Sequence, residues 1–221
     1  MQTLIEKAPG KREARKEERR LAILEVAKRS FLESGYSGTS MSAISAELGG
    51  SKGTLWNYFP SKEELFAAVL DHATVAYRQL LSSVLQPSAD LYTTLTAFCR
   101  SFIGKITMED AIQLHRLIAA ESARFPELGE IFYRRAPQPT QQMLADFFAG
   151  QMAAGHMRED DPLAAARVLA SLCLGGLHQR VVWGIAEATS DEVDREARYA
   201  VDIFARAFDI SRAAAVAVGR N

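Results

Sequence analysis

The stretch Ser40 to Leu65 reads SMSAISAELGGSKGTLWNYFPSKEEL and constrains the chain more than any other. Met41, Ile44 and Leu48 fall at i, i+3 and i+7, one face of a helix. Gly49-Gly50 breaks that helix, as glycine does where positive φ is needed. Ser51 is placed to N-cap a second helix, Lys52 to Tyr58, and Pro60 closes it. Ser61 followed by Glu64 has the capping-box spacing and opens another helix. Two short helices joined by a tight glycine turn outline a helix-turn-helix, or else an ordinary helical hairpin packing a core. In the second helix only Leu55 and Phe59 look like buried anchors. Lys52, Thr54, Trp56, Asn57 and Tyr58 are donors and aromatic edges, more than a solvated face needs.

Those residues carry a resemblance. SKGTLWNYFPSKEEL resembles the recognition helix and following helix start of the TetR family of transcriptional regulators. The resemblance runs from the first helix to Leu65. It implies an N-terminal three-helix DNA-binding domain, residues 1–65, and a larger helical ligand-binding and dimerisation domain, residues 66–221. Two positions depart from the family pattern. Gly50 stands where a β-branched apolar residue is usual, and Trp56 where tyrosine is usual. The first loosens the turn; the second keeps an N–H donor but loses a hydroxyl acceptor.

DNA recognition requires phosphate anchors and base-edge contacts. Lys62 lies in the first turn of its helix, beside the positive end of the dipole, where lysine is unfavourable on electrostatic grounds alone. An anion partner explains it, and the resemblance implies a DNA phosphate. Ser40, Thr54 and Tyr58 carry the hydroxyls expected at backbone-contacting positions of the motif, with Ser42 and Ser51 nearby. Trp56 offers its indole N–H, and Gly53 leaves room for close approach. Lys52 and Asn57 can reach bases; asparagine suits adenine N6 and N7.

The rest of the chain reads as helix, without the alternation of a strand, giving an all-α architecture of about nine helices. A helix from Glu13 to Gly35 carries the stripe Leu21, Leu24, Ala27, Phe31 and Leu32, behind a flexible arm over residues 1–12. The helix opened by Ser61 has the stripe Phe66, Val69, Leu70, Ala73, Tyr77, Leu80, Leu81 and Val84, ending at Pro87. It is long enough to join head to body. Next come Asp90 to Ile106, a helix capped by Thr107 that runs to Arg124, and a short one from Glu127 ending at Pro137. Thr140 to Ala154 follows. Asp161-Pro162 starts a helix to about Gly184. Thr189 and Glu192 form a capping-box pattern before a last helix through Phe208. The tail from Ser211 is alanine-rich and prone to fray.

Charge supports the same orientation. Residues 1–30 hold nine Lys/Arg against five Asp/Glu, the remainder 17 against 22. A basic leading end before an acidic body suits a molecule that turns one end to a polyanion. At 48% hydrophobic and 24% charged, the chain has the composition of a soluble domain. Two cysteines, Cys99 and Cys173, imply no disulfide framework, and no signal peptide or membrane span appears, so a cytoplasmic protein is expected.

A pocket in the middle helices is expected from Phe98, Phe102, Leu114, Leu117, Phe147 and Trp183, with His115, Glu121 and Arg124 as polar groups. Its ligand is a small, largely apolar effector. FPEL at 125–128 is similar to a segment of some family members that control efflux genes. The resemblance also implies that the last two long helices pair with their copies in a homodimer. Leu172, Gly175, Gly176, Leu177, Val181, Val201 and Phe204 are the candidate contacts. Two glycines inside a helix cost about 1 kcal/mol each, which argues for a packing reason. One helix-turn-helix reads few base pairs, so a twofold dimer on a palindromic operator fits.

Chemistry of other kinds has little support. His72, His115, His156 and His178 lie far apart in sequence without metal-ligand spacing, and no nucleophile elbow or phosphate loop is present. No cofactor, metal or catalytic residue is expected. The reading is therefore a ligand-released repressor. An activator of the same fold, an all-α enzyme, or a membrane-surface protein using the Glu13–Arg29 helix are the alternatives. The last is disfavoured because Glu13, Glu17, Glu18 and Glu25 intersperse that helix's cations.

Overall fold

The computed structural model describes residues 10–49, 52–85 and 90–211, together with the backbone but not the side chain of Lys52. The leading arm before Gly10, Gly50, the proposed cap Ser51, Pro87 and the tail after Ser211 lie outside the described residues. Among the described residues every regular element is helical. α1 spans Lys11–Gly38, α2 Met41–Glu47, α3 Lys52–Tyr58 and α4 Lys62–Val84. α5 spans Leu91–Ile106, α6 Glu109–Glu121, α7 Pro126–Arg135 and α8 Pro137–Ala153. α9, Pro162–Cys173, runs through a π turn at Leu174–His178 into α10, Gln179–Val182, and α11 is Ser190–Ala207.

The helix starts follow local chemistry. Side-chain oxygens of Ser40, Ser61, Asp90 and Asp161 accept backbone N–H groups at the openings of α2, α4, α5 and α9. Each satisfies a donor that the helix itself leaves free. Thr189 and Glu192 make both bonds of a capping box at α11. Gly49 ends the α2 turn at φ +65, the left-handed conformation expected of it.

Apolar side chains form two cores. The first holds Ile23, Leu24, Ala27 and Phe31 of α1, Ile44 of α2, Leu55 of α3 and Phe66 and Leu70 of α4, with Leu117 and Leu128 from α6 and α7. The second gathers Leu81 of α4 with α5, α8, α9 and α11 around Phe98, Phe148, Val201 and Phe204. Phe148 and Phe204 stack at 5.2 Å between centroids. α4 is thus buried in one core at its start and in the other at its end. No helix among the described residues is long and apolar enough to cross a membrane.

Several boundaries differ from expectation. Leu21 is 36% exposed, and Ile23 takes its place in the core. Leu21 and Leu32 stand roughly 100–120° around the helix from the centre of the buried face. Leu80 is 52% exposed, because it falls where α4 has left the first core, and Ala73 faces a cavity rather than packed side chains. Thr107 closes α5 instead of opening α6: its hydroxyl donates to the Ile103 carbonyl at 2.7 Å. Pro137 starts α8 rather than ending α7, since its missing N–H is not needed in a first turn. The helix from Pro162 to about Gly184 is interrupted by the π turn.

The second core also removes three expected dimer contacts from the surface. Leu177, Val201 and Phe204 are buried within the chain and are not available to a partner. Gly176, with φ −105 and ψ −108, has its packing reason inside the chain too: a Cβ there would lie 2.1 Å from Glu196 Oε2. Phe204→Ala is expected to cost about 3–5 kcal/mol of stability, whereas Leu21→Ala costs under about 1 kcal/mol. Urea denaturation checks both, and a mild Phe204→Ala effect would contradict its place in the core.

Candidate nucleic-acid interface and ligand cavity

α3 presents its expected face outward. Ser42, Gly53, Trp56 and Asn57 are exposed, Thr54 and Tyr58 are half-buried, and Leu55 and Phe59 anchor the helix inward. Ser40 is exposed but already accepts the Ala43 N–H at 3.1 Å, so its hydroxyl hydrogen remains to donate. The Tyr58 hydroxyl donates to the Lys16 carbonyl at 3.3 Å. That contact brings Arg12, Arg15 and Lys16 of α1 to a shallow concavity shared with Asn57 and Tyr58. The α1 cations therefore join the α3 face, which charge counting hinted at but could not place.

Lys62 is half-buried. Its ammonium donates to the Tyr36 carbonyl and sits 4.2 Å from the centre of the Tyr36 ring. Burial lowers its pKa, against the opposing pull of Glu121 and Glu63. The unfavourable helix position is thus compensated inside the chain, without any need for a phosphate. A lysine has three donors, so a phosphate can still share it.

Behind the head lies a cavity of about 400 Å³ among α1, α4, α5, α6, α7, α8, α9 and the π turn. Its walls include Phe31, Phe66, Tyr77, Phe102, Leu114 and Phe132. Of the expected pocket residues, it brings together Phe102, Leu114 and His115 only. Phe98 lies beneath Phe102 in the second core, stacked at 5.9 Å, and Phe147 packs beside Phe148. Leu117 belongs to the first core, because it lies on the α6 face turned toward the head. Trp183 is 64% exposed, beyond the end of α10. Glu121 accepts the Tyr36 and Ser37 N–H groups, and Arg124 lies over the Phe125 ring at 5.3 Å.

Most of the cavity's polar groups are engaged. Lys28 pairs with Asp110, and Arg78 donates to the Thr74 hydroxyl and the Arg135 carbonyl. The Tyr77 hydroxyl donates to the Ser101 carbonyl at 3.3 Å. His115 and His178, distant in sequence, meet with ring centroids 4.9 Å apart. Sequence reading missed His178 because a single histidine on an apolar helix carries no pattern. Burial lowers the His115 pKa. No group of three or more residues suited to a metal occurs among the described residues. Cys99 and Cys173 are free and buried, and the hydrogen bond to Cys173, with burial, pushes the Cys99 thiol up and away from reactivity.

Of the remaining dimer candidates, Gly175 is exposed, while Leu172 and Val181 are half-buried against the second core. The large exposed apolar residues of the same region are Val168, Leu174, Trp183, Ile185 and Tyr199.

Residues 23–69 match the family described as bacterial regulatory proteins, tetR family. Residues 93–210 match the C-terminal domain described as AefR-like transcriptional repressor. A solved structure of the flavonoid-responsive regulator FrrA is 34% identical, covering 89% of this chain and 100% of that one, with a TM-score of 0.77. A TetR-family structure from Mesorhizobium loti MAFF303099 is 27% identical over 88% of this chain and 98% of that one, also at a TM-score of 0.77. The transcriptional regulator RutR of Escherichia coli K12 is 32% identical over 126 residues, 57% of this chain and about half, 51%, of its own length.

The histidine pair yields a pH signature. Burial, then the charge interaction with His115, brings the His178 pKa down to about 4, against a hydrogen bond with the Leu174 backbone that acts the other way. An unfolded histidine titrates near 6.5, so only the unfolded state takes up this proton between the two values. The stability contributed is complete above about pH 6.5 and is lost as pH falls toward 4. Denaturation midpoints should decline across that window, and less steeply in His178→Gln; parallel profiles would contradict the buried neutral imidazole.

Proposed function

This chain belongs to the TetR family of transcriptional regulators, and from that premise we propose that it is a homodimeric repressor released from a palindromic operator by a small, largely apolar ligand. The head, residues 1–65, binds DNA in the cytoplasm; the body, residues 66–221, binds ligand and dimerises. The observation that carries this reading is that α1 serves both the α3 face and the cavity behind it, which it walls together with α4. Arg12, Arg15 and Lys16 flank the outward face of α3, while the same α1 and α4 wall the cavity behind it. A ligand in that cavity touches the elements that set the head's orientation.

In this reading α3 enters the major groove. Asn57 and Lys52 read base edges, while Ser40, Ser42, Ser51, Thr54, Trp56, Tyr58 and Lys62 hold the backbone, with Gly53 allowing close approach. The α1 cations add phosphate contacts. Dimerisation uses exposed apolar side chains of the last helices and the segment between them, Val168, Leu174, Ile185 and Tyr199, with Leu172 and Gly175. For the ligand, the aromatic walls favour a flat ring system, and the paired imidazoles suit hydroxyl groups. The flavonoid response named for FrrA supports a planar phenolic effector. The cavity's volume lies in the range of small-molecule sites. The described repressor character of the matched C-terminal domain favours repression over activation.

Selection from random DNA should return a palindrome; no enrichment would overturn the reading. On that site Lys62→Ala should make the salt dependence shallower by about one unit, and Asn57→Ala should change base preference rather than weaken all sites equally. Apigenin, as a planar probe phenolic, should weaken operator binding by roughly 5-fold to 150-fold at saturation, the span of ordinary allosteric coupling. Unchanged affinity across a flavonoid panel would reject that ligand class while leaving the DNA reading intact.

A further inference from the structure

The last turn of α1, past a kink at Gly35, is held from two sides. Gly35 adopts φ +75 and ψ 171, and the two N–H groups that follow it point at one carboxylate. Tyr36 N–H donates to Glu121 Oε1 at 2.7 Å and Ser37 N–H to Glu121 Oε2 at 2.8 Å. Successive N–H groups beside a left-handed residue form a concave anion site. A Cβ at position 35 would lie 2.6 Å from Glu121 Oε1, so glycine is needed both for the backbone angle and for the approach of the carboxylate.

The opposite side belongs to α4. Lys62 donates to the Tyr36 carbonyl and covers the Tyr36 ring, while the Tyr36 hydroxyl donates to Glu63 at 3.2 Å. Burial works against charge on Glu121, but the Ser37 and Tyr36 donors and the nearby Lys62 outweigh it, and its pKa is lowered. Residue 36 is thus gripped by α6 through its N–H and by α4 through its carbonyl, ring and hydroxyl.

α6 is also a cavity wall. Leu114 lies seven residues before Glu121, about two turns or 10 Å along the helix. Between them Arg116 ties α6 to the body, donating to the Val181 and Val182 carbonyls at 3.0 and 2.8 Å. We propose that Glu121 is a positioning residue for DNA recognition. Its carboxylate, seated in the Gly35–Ser37 turn, fixes the angle between head and body and thereby sets the half-site spacing that the dimer accepts. This rests on the dimeric DNA-binding reading above. A charge clamp suits the role because its two charge-assisted hydrogen bonds are directional and add to the angle that the neighbouring ring contacts define.

The test uses the full chain and the palindrome selected by the wild type, with centres lengthened or shortened by one or two base pairs. The wild type should prefer its native spacing by about tenfold or more, and Glu121→Gln should bind the whole set within about threefold, with single half-site affinity unchanged. Glu121→Asp, one methylene short, should fall between them. Glu121→Gln with the wild-type spacing preference would overturn the proposal. So would loss of half-site and full-site binding in equal measure, which is what a merely structural role gives. Amide exchange at Tyr36 and Ser37 needs no DNA. It should accelerate selectively in Glu121→Gln, and unchanged rates would refute the clamp even if no palindrome were found and the dimer reading failed.

Discussion

Phe66 packs edge-on against two rings at once, Phe31 at 5.1 Å and Tyr36 at 5.6 Å, and Tyr36 in turn meets Phe125 at 5.3 Å. The seating of α1, α2 and α3 on the rest of the chain depends on this cluster. Phe31 comes from α1 before its kink at Gly35, Tyr36 from α1 just past that kink, Phe66 from the first turns of α4 and Phe125 from the α6–α7 junction. Each pair adds about 0.5–1.5 kcal/mol beyond its buried area, and their geometry fixes angles as well as distances. The helix-turn-helix is too small to hold itself. Leu55 of α3 and Phe59 just after it are its buried anchors, with Tyr58 packed partly against the same core, so its orientation is inherited from α1 and α4.

The same cluster explains why the head is not an independent unit in packing. Leu117 and Leu128 are buried among head residues, although they lie far along the chain. An interface with shared apolar residues and a bidentate carboxylate moves as a whole or not at all, because packed cores repack in steps rather than deform smoothly. The cavity sits against this interface, with Phe31 and Phe66 serving both as cluster rings and as cavity walls. A ligand touching those two rings touches the residues that orient α3, with no long relay needed.

What the sequence made legible was what local chemistry determines. Ser40, Ser61, Asp90, Asp161 and Thr189 announced helix starts, and the SKGTLWNYF segment announced a recognition helix, because caps and short motifs depend on neighbours within a few residues. Facing was harder. Leu117 and Leu114 share one helix and one hydropathy, yet one packs the head and the other lines the cavity. Periodicity finds an apolar face but not the element that covers it. The same limit misplaced Val201 and Phe204, whose face is indistinguishable in sequence from a dimer surface. Glu121 was read as a pocket acid because nothing in its neighbours foretells that it reaches residues 85 and 84 positions earlier.

The glycine pair at 175–176 shows how a correct energetic argument can lead to the wrong partner. Two glycines in a helix do weaken it, and for Gly176 a packing reason does exist, whereas a Cβ at Gly175 would meet open space. That reason is the Glu196 carboxylate from α11, lying where a Gly176 side chain would be and pairing with Arg180 at 3.4 Å. With the helix opened into a π turn, the register of everything after Cys173 shifts, and π turns of this kind recur at functional sites. Here the shift puts His178 beside His115 at the cavity wall and sends Trp183 out to solvent. A straight α9 would have carried those side chains around the helix by a different angle. Without the π turn the imidazole pair at the cavity wall would not be assembled.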